Sequence, residues 1–380
     1  MRLPSLLALA AVALAVAACR DVPRTEPPEP PASVVKSAAD LSLRLRGTSH
    51  FLVGLGNDGD GAFTLGSTLD LHDAILRGLP GRGGWSDSPA DGGFIDGFVR
   101  SADAHGTTPM LTLATMARQD EDEDNLHVLS DEQTMSAFWI GARLLFQRLG
   151  SYGKPSLVHL EPDFWGFAQQ ASPDGTRPVL VKRFASECGD EADDVRGMAR
   201  CLLKLARTYA PRAAVGFHAS VWAGTPASVV RFLRAIGADG ADLVVTDVAD
   251  RDAGCWERGT DPECQGPKLT GLYLDETNRT SPNFHEELAW AKEIHDGLGL
   301  PVLWWQVPLG VPRNRAGGRT DHYRDNHVHY MFGHIDELIA AGGVGAVFGT
   351  KVAHQTTIAT DGDQFKNAVA RYFQSPAPLP

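Results

Sequence analysis

The sequence predicts one large α/β domain folded as a (β/α)8 barrel. Short apolar runs alternate along the chain with amphipathic segments, and eight of these runs have the length and composition of buried strands. Strands that alternate with helices pair in parallel, and eight of them close into a barrel. No Pro-rich or Gly-rich linker divides this region, which favours one domain over two. A doubly wound open sheet is the alternative architecture.

The elements follow from the apolar pattern in chain order. The strand candidates are Phe51–Gly56, Pro109–Thr115, Ser156–Asp163, Ala214–Val221, Leu243–Val248, Gly271–Asp275, Val302–Val307 and Gly345–Gly349. The helix candidates are Phe94–Ala104, Asp131–Leu149, Asp193–Tyr209, Ala227–Ile236, Pro282–Gly297, Tyr330–Ala341 and Gln364–Phe373. Residues 57–93 have room for a further strand. Gly271–Asp275 is open between a strand and a loop.

The composition is that of an acidic globular protein. The 380 residues are 43% apolar, and 35 Lys and Arg stand against 47 Asp and Glu, a net charge of −12. Because phosphate binding requires clustered Lys and Arg, we expect no nucleic-acid partner. Forty Gly and 24 Pro indicate many turns, which is typical of a loop-rich enzyme. The sequence predicts neither a cofactor nor a bound metal, and it leaves the oligomeric state open.

The N-terminal segment has the pattern of a bacterial lipoprotein signal. An apolar run follows Arg2, is too short to span a bilayer, and ends in small residues directly before Cys19. We therefore expect a signal peptide over residues 1–18 and a lipidated Cys19 with a Pro-rich tether over residues 19–39. The barrel domain follows over residues 40–374, with a tail at 375–380. The expected location is extracytoplasmic, with the lipid as the only membrane anchor.

Four further cysteines predict two disulfides. An even number of cysteines behind a signal peptide is typical of an oxidising compartment. Sequence neighbours give the simplest pairing, Cys188 with Cys201 and Cys255 with Cys264. Free buried thiols are the alternative.

The strongest candidate site follows the strand that begins at Ser156. Strand alternation places His159, Glu161 and Asp163 on one face, and in a barrel the carboxyl ends of the strands carry the active site. Pro162 ends the ladder, and Trp165 follows directly. Acids beside aromatic rings suit a sugar, whose hydroxyls bind carboxylates while its C–H faces stack on rings. A structural Glu161 that pairs with an Arg is the alternative.

Polar and aromatic side chains also end the other strands. Singly, each has a structural explanation, and Trp305 is expected in the core; together they indicate one shared site. The candidate substrate-binding residues are His159, Trp165, His218, Trp222, Asp275, Trp304, Gln306, Asn57 and Asp58.

This set of side chains favours cleavage of a glycosidic bond, with a carbohydrate as partner. The reaction needs one carboxylic acid to protonate the leaving oxygen and a second carboxylate as nucleophile or base. Glu161 is the predicted acid and Asp247 the preferred partner. The other candidate catalytic carboxylates are Asp163, Asp250 and Glu276, with Asp275 as a further alternative.

The layout of residues 50–373 resembles that of secreted (β/α)8 glycoside hydrolases. Glu161 stands where such enzymes carry a Glu at a strand end, although Leu160 precedes it where many of them have Asn. The strings Glu161-Pro162-Asp163 and 247–252 are similar to Glu-Pro-Asp and Asp-x-x-Asp-Arg-Asp strings of family 6 cellulases, in the reverse order. The resemblance implies a barrel fold and a sugar substrate, and no residue role is taken from it.

Other patterns carry less weight. Gly54–Gly59 fits G-x-G-x-x-G with Asp73 at the distance of a ribose-binding acid, but no helix pattern follows. The acidic run 120–124 lacks calcium-loop spacing. Three rival functions stay open: a glycan-binding lipoprotein without catalysis, a structural surface lipoprotein, and a metal-dependent hydrolase using Asp247, Asp250 and His218.

Overall fold

In the computed structural model, the strands form one closed parallel barrel in the order β1 to β8. The structure describes residues 37–56, 62, 65, 69–116, 125–259, 264, 273–318, 322–349 and 355–380. The strands are β1 (Leu52–Gly56), β2 (Leu71–Arg77), β3 (Thr108–Ala114), β4 (Ser156–Leu160), β5 (Ala213–His218), β6 (Leu243–Thr246), β7 (Val302–Val307) and β8 (Gly343–Phe348). Pairing of β1 with β8 closes the ring. The predicted (β/α)8 barrel is confirmed.

Helices surround the barrel and connect most of its strands. Those up to β5 are α1 (Ala38–Arg46), α2 (Gly93–Ala104), α3 (Glu132–Tyr152), α4 (Pro162–Ala171) and α5 (Val195–Tyr209). Those after β5 are α6 (Pro226–Ile236), α7 (Ala253–Arg258), α8 (Phe284–Leu298), α9 (His327–Gly333), α10 (Ile335–Ala340) and α11 (Gln364–Tyr372). The side chain before each of α1, α3, α5, α6 and α8 accepts from a first-turn amide, and Asn283 and Glu286 form a full capping box before α8.

Four elements differ from the prediction. β2 lies inside the unassigned stretch 57–93. Helix α4 begins at Pro162, where a strand end was expected. Of the strand predicted at Gly271–Asp275, residues 273–275 lie in a loop, where Asp275 makes a single bridge to Asn283. The helix predicted at Tyr330–Ala341 is two helices that break at His334, whose φ of −136° is not helical.

Both predicted disulfides are present, Cys188–Cys201 and Cys255–Cys264. The predicted tail packs on the domain: the amide of Phe51 donates to Ala377, and Leu379 is buried. Residues 1–36, with Cys19, lie outside the described residues. Within the described part of the chain, no helix combines the length and apolar character needed to cross a membrane.

Candidate active site

The inside of the barrel carries a buried polar row that begins on β2. Asp73 accepts a hydrogen bond from the hydroxyl of Thr112 on β3, with Oγ1 2.8 Å from Oδ1. The same hydroxyl oxygen lies 3.3 Å from Nδ1 of His159 on β4. Strand register explains the contact, because Thr112 pairs directly with His159. All three side chains are buried, so the row is shielded from water.

The row continues across β5 to the end of β6. Nε2 of His159 lies 3.1 Å from Nδ1 of His218, and Nε2 of His218 lies 3.5 Å from Oδ1 of Asp247. Burial and the charge of His218 lower the pKa of His159 well below its usual value. Asp73, Thr112, His159, His218 and Asp247 are called the relay cluster below.

Trp305 on β7 closes the relay cluster from the opposite wall of the barrel. Its indole Nε1 donates to Oδ2 of Asp73 at 2.9 Å. Its ring meets that of His159 edge-on, with centroids 4.8 Å apart. Trp305 is buried, as expected, and it also binds a carboxylate of the site.

Arg251 fixes Asp247 at the barrel mouth. Its Nη1 lies 3.2 Å from Oδ2 of Asp247 and 3.4 Å from Oε1 of Gln306, and its other nitrogens bind Asp252. Burial opposes ionisation of Asp247, but His218 and Arg251 outweigh it and hold the pKa of Asp247 below its usual value. Asp247 is therefore an ionised carboxylate at neutral pH.

Gln306 and Glu161 have left-handed backbones, with φ of 54° and 42°. Residues other than glycine rarely adopt this conformation, and such strain is concentrated at functional sites. The two residues end β7 and β4, so both strained positions lie at the carboxyl end of the barrel.

Glu161 is fully buried, and its carboxyl is held by the end of β3. Oε1 accepts from the hydroxyl of Thr115 at 2.6 Å, and Oε2 accepts from the amides of Thr115 and Met116, both at 2.9 Å. Burial raises the pKa of Glu161 to about 7, against the effect of these donors. Glu161 thus does not present an open carboxyl to a substrate.

Asp163, two residues further on, lies in the first turn of α4 and is half-buried. Its charge acts on Glu161 and helps to raise the pKa of Arg251. Asp163 therefore interacts with Arg251 through its charge and, unlike Glu161, remains accessible to solvent.

Asp250 does not join the relay cluster. It accepts from the amide of Leu274 at 2.8 Å, and its Oδ1 lies 3.0 Å from Nε2 of His327, whose Nδ1 lies 3.5 Å from Asp325. Burial alone would lower the pKa of His327, but Asp250 and Asp325 raise it to about 10. Burial also raises the pKa of Glu287, next to these carboxylates, to about 8. Asp250, Asp325, His327 and Glu287 are called the His327 cluster below.

Two predicted acids lie on loops outside both clusters. Asp275 binds Thr277, Arg279 and Thr280 and so orders its own loop. Glu276 pairs with Nδ1 of His329 at 2.9 Å on the surface. Neither has a contact that connects it to Asp247.

Two aromatic predictions are wrong. Trp165 is buried, donates its Nε1 to the carbonyl of Leu160, and packs on Phe217 outside the barrel wall. Trp304 is also buried, and its ring covers Gly343, so it faces the helix layer. Trp222 is 39% exposed and packs against Phe167 of α4, with ring centroids 4.8 Å apart.

Asn57 and Asp58 lie outside the described residues. Among the residues that are described, no three His, Cys, Asp or Glu side chains are placed to hold a metal ion. The metal-dependent alternative joined Asp250 to His218 and Asp247, whereas the structure pairs Asp250 with His327.

The sequence prediction missed four residues of the two clusters: Asp73, Thr112, Glu287 and His327. Asp73 was considered only as a ribose-binding acid, because β2 was not recognised. The signal available was the string Leu71–Ile75, where Asp73 and Ile75 share one strand face. Thr112 has no distinctive pattern within its apolar strand.

Comparisons with known proteins agree on the fold. No protein family model and no curated protein sequence matches the chain. Among solved structures, it is similar to a GH26 β-mannanase from Bacteroides ovatus, with a TM-score of 0.50 and 9% identity over 90% of this chain and 93% of that chain. An endoglucanase, Cel5A of Thermotoga maritima, gives a TM-score of 0.49 and 11% identity over 88% and 99%. The chain has the barrel fold of such glycoside hydrolases, and at 9% identity the likeness concerns the fold alone.

Proposed function

We propose that the protein is a glycoside hydrolase in which Asp163 is the proton donor and Asp247 the ionised carboxylate. The observation that supports this most is that Arg251 at the barrel mouth contacts Asp247 directly and interacts through its charge with Asp163. Asp247 is buried and charged, while Asp163 is half-buried and open to solvent. Glycoside hydrolysis uses such a pair, one group giving a proton and the other acting as a base or nucleophile.

Accessibility to a substrate distinguishes Asp163 from Glu161 as the proton donor. A proton donor must come within hydrogen-bond distance of the leaving oxygen. Both oxygens of Glu161 are already occupied by Thr115 and Met116 in the interior. Asp163 is free of such enclosure, so we assign the donor role to Asp163 and a positioning role to Glu161.

Trp222 supports a sugar substrate. Its ring lies directly over Gly166, where a Cβ atom would come within 2.6 Å of the indole. Gly166 belongs to α4, whose first turn carries Asp163, so one short helix positions both the acid and an exposed aromatic face. We propose that this face stacks on a sugar ring next to the bond that is cleaved.

The test is hydrolysis of a panel of plant and bacterial polysaccharides by the full chain, with released reducing ends as the readout. We expect Asp163→Asn and Asp247→Asn each to lower the rate by a factor of about 100 or more, because each removes a proton-transferring or charge-stabilising group. Glu161→Gln should keep the rate within a factor of about 10, since its carboxyl does not reach the substrate.

Glu276→Gln is the matched control, because it removes a surface carboxyl outside the site. Its activity should equal that of the wild type. Full activity of Asp163→Asn, or a loss confined to Glu161→Gln in a folded protein, would contradict the assignment. Binding without hydrolysis on every glycan would favour a glycan-binding protein instead.

We also propose that the mature protein is extracytoplasmic and anchored by a lipid on Cys19. The supporting observations are the sequence before Cys19 and the two disulfides, which form in oxidising compartments. In a bacterial host, mass spectrometry should find an acylated N-terminal Cys19, and Cys19→Ala should release the protein from membranes. An intact Met1 on the wild-type protein would refute this.

A further inference from the structure

We propose that the relay cluster is a proton relay between two carboxylates, so that Asp73 on β2 controls the proton on Asp247 after β6. The inference rests on the proposed function only for the role given to Asp247. The relay itself is a property of five buried groups in one row. Asp73, Thr112 and His218 would then be positioning residues that act through Asp247.

The geometry gives a row of three hydrogen bonds and a longer last contact, since Oδ1 of Asp247 makes no hydrogen bond among the described residues. Their lengths, from Asp73 to Asp247, are 2.8, 3.3, 3.1 and 3.5 Å. Thr112 and His159 are fully buried, and the other three members are at most 3% exposed. Because water has so little access, a proton that leaves one member passes most directly to the next.

The number of hydrogens on each group makes the row directional. The Thr112 hydroxyl has one hydrogen, and a neutral imidazole donates from one nitrogen and accepts at the other. If Thr112 donates to Asp73, it accepts from Nδ1 of His159, whose Nε2 then accepts from Nδ1 of His218. In this order Nε2 of His218 carries no hydrogen while Asp247 is ionised, and it receives one only after Asp247 has taken up a proton. Reversing one link therefore reverses all four.

The relay carries one proton from Asp247 to Asp73 and leaves the number of hydrogens on Thr112, His159 and His218 unchanged. A proton taken up by Asp247 passes to Nε2 of His218, and the proton on Nδ1 of His218 passes to Nε2 of His159. The proton on Nδ1 of His159 passes to Thr112, and the hydroxyl proton of Thr112 passes to Asp73. Asp247 is again ionised and Asp73 is neutral. The reverse sequence returns the proton.

Other charged groups act on the two ends of the row. Arg251 faces Asp247 from the loop after β6, and Glu287 interacts with it from α8. His218 is faced by His159 from β4 and by Asp247. At the other end, the indole of Trp305 donates to Oδ2 of Asp73.

The test follows the ring nitrogens of His218 by 15N NMR against pH in the full chain. Thr112→Val removes the hydroxyl and keeps the shape of the side chain, and Asp73→Asn removes the charge at the far end. Either change interrupts the row of hydrogen bonds from Asp73 to His218, and this row stabilises a His218 that carries a hydrogen on both nitrogens. We expect both variants to lower its titration midpoint by about one pH unit or more.

Thr112→Ser keeps the hydroxyl and should restore the wild-type curve. Ser156→Ala removes a buried hydroxyl of β4 that lies outside the row, and it should leave the curve unchanged. The proposal is overturned if His218 behaves identically at every pH in the wild type, Thr112→Val and Asp73→Asn.

A second measurement separates the relay from the proposed function. If the enzyme hydrolyses a glycan, the acidic limb of its pH–rate profile should shift in Thr112→Val in the same direction as the His218 midpoint. If no glycan is hydrolysed, the proposed function fails, while the NMR titration still decides whether the relay exists.

Discussion

The two buried histidine clusters use the same residue types and reach opposite charge states. In the relay cluster, His159 lies between a hydroxyl and a second imidazole, and burial keeps it neutral. In the His327 cluster, the imidazole lies between Asp250 and Asp325, which keep it protonated far above its usual pKa. Both imidazoles are buried, so the two carboxylate partners of His327, in place of which His159 has a hydroxyl and an imidazole, account for the difference in charge.

The difference also separates two roles. A histidine held between two carboxylates is a fixed cation, and its contribution is to stability. A neutral histidine with one proton to give or take is suited to proton transfer near neutral pH. We therefore expect the His327 cluster to stabilise the fold beside the mouth, and the relay cluster to have the role in proton transfer proposed above.

Replacing each histidine by glutamine is the sharpest way to test the comparison. His327→Gln leaves Asp250 and Asp325 buried without a cation, and we expect it to lower the free energy of unfolding at pH 6 by about 3–5 kcal/mol. His159→Gln exchanges one neutral amphoteric side chain for another and should cost about 1 kcal/mol. Urea unfolding of both variants measures the two values.

The contribution of His327 to the free energy of unfolding should fall as pH rises. The pKa of His327 is raised to about 10 from its usual 6.5, so its contribution to stability is complete below pH 6.5 and is lost as pH rises towards 10. The stability gap between the wild type and His327→Gln should therefore narrow over that range. If His327→Gln and His159→Gln lower the free energy of unfolding equally at pH 6, the two clusters do not differ in charge as described above.

Much of the fold was predictable because the strands are short apolar runs with turn signals around them. β2 was not predicted because His72, Asp73 and Arg77 interrupt its apolar pattern. Asp73 nevertheless faces the inside of the barrel, where it binds Thr112. Helix α4 was not predicted because a proline such as Pro162 can end a strand and can equally occupy the first turn of a helix. Local sequence does not separate these two uses.

The site was predictable only where a residue ends its own strand. The sequence prediction named His159, His218, Asp247 and Gln306 in this way, whereas His327 depends on Asp250, which lies on a different loop far earlier in the chain. Which of Trp304 and Trp305 faces the inside of the barrel depends on the register of β7 against β8. That register is irregular next to Gln306, whose backbone is left-handed. A one-residue change in register exchanges the two faces of a strand, and sequence alone does not reveal it.

Glu161 offers a smaller test, because it is a buried carboxyl that lacks the cation found in the His327 cluster. Its pKa is raised to about 7 by burial, so the folded protein binds its proton more tightly than the unfolded chain. Stability is therefore lost as pH rises from 4.5 through 7. Glu161→Gln mimics the neutral acid and should be more stable than the wild type by about 3 kcal/mol at pH 8 and nearly equal at pH 4.5.

Glu187→Gln is the control, because it should lower the stability of the fold where Glu161→Gln raises it. The hydrogen bonds of Arg143 hold the pKa of Glu187 at about 2, so this carboxyl is ionised at both pH values and its loss should destabilise the fold at each. Urea unfolding at pH 4.5 and pH 8 measures all three proteins. If Glu161→Gln and the wild type change in parallel with pH, Glu161 is ionised throughout. In that case a buried carboxyl in this barrel keeps its charge on three hydrogen bonds without a cation, and the difference drawn between the two clusters no longer holds.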